Sequence, residues 1–134
     1  QLISNFKALG FYVIKHTDGD IHAVLDDLVN SGIDCLDPID PLGGLDIGDI
    51  KQRYGDRVCL KGNVDCVSTL VDKTPDEVVR EVKTCILKAS PGGGHIISSS
   101  NSIHSGIHPV NYKVFLNAIK EYGTYPLNED KLKQ

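Results

Sequence analysis

Short apolar runs alternate four times along the chain with longer stretches in which apolar residues recur at helical spacing. The runs cover residues 11–16, 35–39, 58–62 and 95–98, each the length of a buried strand and too short for a helix. They end in His16-Thr17-Asp18-Gly19, Asp37-Pro38-Ile39-Asp40, Gly62-Asn63-Val64-Asp65 and Ser98-Ser99-Ser100-Asn101. Strands alternating with helices pair in parallel, and the loops after the strands gather at one end of the sheet. The polar strand ends are therefore where function is expected.

Helix signals follow each run. Asp20 is a candidate cap for a helix with Ile21, Val24, Leu25, Leu28 and Val29 on one face, stopped at Gly32. Asp46 heads a shorter helix through Ile47, Ile50 and Tyr54, ending near Gly55. Thr74-Pro75-Asp76-Glu77 reads as a capping box with proline at the first helical position, ahead of Val78, Val79, Val82, Cys85 and Ile86. Pro109 opens a helix carrying Tyr112, Phe115, Leu116, Ile119 and Tyr122, closed by Gly123. Residues 1–9 resemble the last turns of a helix, and residues 124–134 read as a polar, frayed tail.

Four βα units leave two open parallel edges, whereas an eight-unit barrel has none. With no initiating methionine, the pattern reads as one partial domain, residues 1–134, forming half of a (β/α)8 TIM barrel. Its completion is expected from a missing N-terminal half or from a homo-oligomer. A hydrophobic fraction of 40% and a net charge of −4 suit a folded cytoplasmic enzyme and exclude disorder. No apolar run approaches a membrane span, and no Lys/Arg cluster supplies the basic stripe nucleic acid requires. The cysteines at 35, 59, 66 and 85 form no CxxC pair and read as reduced core residues.

The ordered set of motifs His16-Thr17-Asp18-Gly19, Gly62-Asn63-Val64-Asp65, Thr74 to Val78, Gly93 to Ile103 and Pro109-Val110-Asn111-Tyr112 resembles the C-terminal half of the uroporphyrinogen decarboxylase family. That superfamily also holds cobalamin-dependent methyltransferases, and its members are (β/α)8 barrels. The resemblance implies an enzyme acting on a tetrapyrrole, or on a methyl group carried by a corrinoid protein. In the methyltransferase branch a His-x-Cys pair and a later Cys hold zinc, and the matching positions are His16, Asp18 and Asn101. The resemblance thus implies a weak zinc site at His16 and Asp18 and a corrinoid cofactor, since oxygen ligands replace sulfur. The decarboxylase branch implies no cofactor. There the last strand ends in a Gly-His-Gly segment, whose histidine position Asn101 also takes. His16 followed by Asp18-Gly19 tilts the reading toward methyl transfer.

Read by type, His16 is either a ligand or acid/base group, or a strand-end histidine bonding a loop. Asp18 is either a catalytic ligand or a helix cap, and Asp65 either a catalytic carboxylate or a turn former. Asp37, Asn63, Ser99, Asn101 and His104 are the candidate substrate-binding groups. Asp37 and Asp40 flank Pro38, which stiffens that loop whatever it binds. The Gly92-Gly93-Gly94 run precedes a strand, so it belongs at the opposite end from the site. No serine has a His/Asp partner at a readable spacing, which argues against a hydrolase triad. Replacement of both family signatures at Asn101 leaves a non-catalytic binding module as the alternative to an enzyme.

Overall fold

The computed structural model describes residues 1–134. Its four strands, β1 (Ile14–His16), β2 (Cys35–Asp37), β3 (Cys59–Val64) and β4 (His95–Ser99), form one parallel sheet in chain order. Ile14 stands beside Cys35 and Cys35 beside Cys59, while Leu60 through Val64 run beside His95 through Ser99. The helices are α1 (Leu2–Ala8), α2 (Leu25–Asn30), α3 (Ile47–Tyr54), α4 (Thr69–Asp72), α5 (Pro75–Ala89), α6 (Pro109–Tyr122) and α7 (Glu129–Lys133).

Strand alternation decides where the core lies. Leu36, Leu60 and Val64 are fully buried and join Leu25, Ile50, Val78, Val82 and Ile86 from the helices in one apolar cluster. Each such side chain contributes roughly 1.5–3 kcal/mol when removed from water. The residues between them in the strands face the other way. There Ile14 is 54% exposed and Ile96 49%, so the second face of the sheet lacks a covering layer. One covered face and one open face on an all-parallel sheet is the arrangement of a barrel segment, whose inner face needs further strands.

Local signals hold where the caps are strong. Thr74 and Glu77 make the full capping box at the start of α5, and Asp46 accepts the N–H groups of Gly48 and Asp49 at the start of α3. Asp20 accepts the N–H of His22. The turn it starts is a 3-10 turn over His22–Val24, and the α-helix begins only at Leu25. The tail expectation fails: Asn128 caps α7, Leu132 is 5% exposed in the core, and Lys131 lies over the Tyr122 ring. One apolar residue among lysines was too faint a period to read as a docking helix. Residues 11–13 run beside β2 through the Val13 carbonyl but stop short of a regular strand.

Candidate functional site

Four of the sequence-predicted residues meet at the strand ends. His16 closes β1 and Asp37 closes β2 in register, so the imidazole Nδ1 lies 3.0 Å from Asp37 Oδ2. A carboxylate only accepts, so Nδ1 carries a proton at this contact and Nε2 is the nitrogen left for other partners. Nε2 faces Asp18 Oδ1 at 3.4 Å, and Asp18 Oδ2 accepts a hydrogen bond from the Asn101 side-chain amide at 3.0 Å. Asp18 follows the first strand and Asn101 the last. In a flat sheet those strands would stand roughly 14 Å apart. The bridge between them shows that the strand ends curl toward one another.

Asp37 anchors this group. It is only 8% exposed, and its Oδ2 also accepts from Lys61 Nζ at 2.8 Å. Its Oδ1 is buried with no partner. His16, Asp37, Lys61 and the run Ser98–Ser102 line a cavity of about 270 Å³ that contains no hydrophobic side chain. Sequence reasoning missed Lys61 as a site residue. It lies inside an apolar run, and the available signal was strand alternation, which puts it on the face opposite Leu60.

Close backbone packing holds the site in place. Asp40 accepts the Gly19 N–H at 2.8 Å, tying the loop after β1 to the loop after β2. A side chain at Gly43 would place its Cβ 2.1 Å from the Gly19 carbonyl oxygen, so only glycine permits this approach.

The other predicted residues lie elsewhere. At Gly62, φ is +134°. Asn63 bonds the Ile39 carbonyl and the Cys85 thiol on α5, away from the cavity. Asp65 caps the turn into α4 through the Val67 and Ser68 N–H groups. His104 has both nitrogens engaged, with Nε2 on the Cys66 carbonyl and Nδ1 accepting from Gly106. Ser99 lines the cavity while donating to the Asn101 carbonyl. Gly93 lies at the far end of the sheet, where its carbonyl accepts from Lys51 ahead of β4.

The resemblance implies a zinc held at these strand ends. Only His16 Nε2 and Asp18 Oδ1 converge. Asn101 turns its NH2 to Asp18, and its oxygen accepts from the Ser102 N–H. A catalytic zinc takes three protein ligands, so these residues do not fit one. Two of the cysteines are poorly suited to supply a thiolate in its place: burial pushes the Cys35 thiol up to about 12 and the Cys85 thiol to about 11.

A curled, all-parallel βα sheet with its polar groups collected at the strand ends defines a segment of a (β/α)8-type fold. Residues 1–122 match the model of the uroporphyrinogen decarboxylase family, and the chain belongs to that family. The uroporphyrinogen decarboxylase of Psychromonas ingrahamii is 36% identical over 77 residues, which are 58% of this chain and 21% of that protein. That of Pseudomonas putida is 33% identical over 101 residues, 72% of this chain and 26% of that protein. The matches thus span about a fifth to a quarter of these relatives. A methyltransferase from Methanosarcina mazei superposes with a TM-score of 0.75 over 92% of this chain and 35% of its own, at 20% identity. That likeness concerns the fold.

Proposed function

We propose that the chain forms the strand-end half of a decarboxylase active site in which His16, oriented by Asp37, is the proton donor. The observation that carries this reading is the contact between His16 Nδ1 and the buried Asp37 carboxylate. It fixes the ring and leaves Nε2 as the atom that gives or takes a proton. When a carboxylate leaves a pyrrole side chain as CO2, the electron pair of the broken C–C bond stays on carbon. A proton on Nε2 fills that position, and water then restores the imidazolium. Asp37 holds the ring throughout, charged before the transfer and neutral after it, and Asp18, held by Asn101, faces the transferring nitrogen. The substrate class, a carboxylated tetrapyrrole, is that of the uroporphyrinogen decarboxylases the chain is similar to.

The complete protein, assayed anaerobically with uroporphyrinogen and a strong chelator, is expected to release CO2, and His16→Gln to abolish the release. Wild-type protein that releases none would overturn the reading.

A second reading, methyl transfer from a corrinoid protein, is favoured by one observation: His16 Nε2 and Asp18 Oδ1 converge at 3.4 Å. Two donors make a weak cation site, so zinc titration of the complete protein and of His16→Ala is the check. Equal binding by both removes this reading. Loss of zinc binding together with loss of methyl transfer supports it.

A further inference from the structure

Lys61 is the one lysine lining the cavity, and proton transfer at His16 gives it no role. It projects from β3 with a third of its side chain exposed and makes one hydrogen bond, to Asp37 Oδ2. An ammonium has three N–H donors, so two remain for the cavity. Opposite stand Ser98, Ser99 and Ser102 on and after β4. Ser98 and Ser99 donate to the Ser99 and Asn101 carbonyls, so the Ser102 hydroxyl is the one left to donate into the cavity. Asp37 Oδ2 is already shared with His16, so the ion pair alone leaves Lys61 with unused donors in a space of about 270 Å³. A wholly polar cavity with an under-used ammonium fits an oxyanion.

We infer that Lys61, with the Ser102 hydroxyl, forms an oxyanion subsite that holds a carboxylate of the ligand which does not react. The identity of that ligand as a polycarboxylate rests on the decarboxylase reading; the oxyanion subsite does not. The restriction to a non-reacting group follows from charge. A cation bound to the departing carboxylate stabilises the ground state and opposes its loss as neutral CO2. A cation bound to a neighbouring carboxylate costs nothing in that step and fixes which side chain lies beside His16. Lys61 is therefore a specificity-determining residue.

The test is calorimetric titration of the complete protein with citrate and, separately, with inorganic phosphate. Citrate is expected to bind wild type, to bind Lys61→Gln about tenfold more weakly, and to bind Lys61→Arg within a few-fold of wild type. With a porphyrinogen substrate, Lys61→Gln should raise KM about tenfold and change kcat far less. Wild type that is inactive on uroporphyrinogen yet binds citrate through Lys61 removes the decarboxylase reading and supports the subsite. Phosphate binding tighter than citrate, lost in Lys61→Gln, supports the subsite with a phosphate-bearing ligand. A folded Lys61→Gln that binds both anions like wild type overturns it. If Lys61→Gln does not fold, amine acylation of wild type decides. Protection of Lys61 by citrate supports the subsite, and equal acylation with and without citrate overturns it.

Discussion

At the scale of single residues, the site depends on which polar groups are already satisfied by the fold. His16 is about half exposed and Asp37 buried, so their substitution separates chemistry from stability. His16→Gln is expected to lower turnover by roughly 10²- to 10⁴-fold, the range for a lost acid/base group, with the melting temperature unchanged. A fall of several degrees instead would mark the ring as structural. His95 behaves differently. It accepts from Ser90 at Nδ1, donates to the Gly62 carbonyl from Nε2, and burial lowers its pKa below the ordinary 6.5. The unfolded chain therefore binds a proton that the folded chain refuses. Its contribution is fully present above pH 6.5 and is lost as the pH falls toward the lowered folded value. Replacing it by Gln should flatten the decline of stability as the pH falls below about 6.5 in denaturant titrations; an unchanged slope would show His95 uninvolved. Residue type explains what was legible here. His16, Asp18 and Asn101 were readable because each ends or follows a strand with no nearer partner. Asn63, Asp65 and His104 looked equally able, but their polar atoms are taken by backbone groups from loops distant in sequence.

At the scale of elements, the four βα units could be read because each cap and each apolar stripe agreed with its neighbour. Helix α7 could not, since its docking depends on Leu132 meeting α5 across a long separation. Leu132→Ala is accordingly expected to cost about 2 kcal/mol, at the low end for a buried leucine near a chain end. Urea denaturation measures it, and a loss below about 0.5 kcal/mol would restore the frayed-tail view. Strand β3 is less tolerant. A Cβ at Gly62 would lie 1.9 Å from the Pro38 carbonyl oxygen, at a φ of +134° that side chains rarely adopt. Gly62→Ala should therefore separate β2 from β3 where Asp37 and Lys61 meet, lowering both stability and citrate binding. A variant that loses neither would show that the two strands can part without disturbing the site.

For the whole molecule, the open face of the sheet sets the behaviour of the chain on its own. The edges at β1 and β4 carry unpaired backbone groups, and beside them Ile14 and Ile96 lie about half exposed on the face away from the helices. Phe11, at 59% exposed, and Tyr12, at 89%, extend that surface past the start of β1. Parallel sheets are covered on both faces in stable proteins, because an open edge recruits strands and an open face recruits apolar surface. Residues 1–134 alone should therefore self-associate at micromolar concentration, measured by light scattering. Ile96→Lys should reduce that association while leaving the helical circular dichroism in place. The substitution puts charge on the uncovered face and leaves the buried cluster of Leu36, Leu60 and the helices untouched. A dilute monomer with a cooperative melt would mean that the helical layer alone sustains the sheet, and the half-barrel account of these 134 residues would then fail. Association that Ile96→Lys does not weaken would place the contact at the strand edges, where backbone hydrogen bonds, not side chains, join the copies.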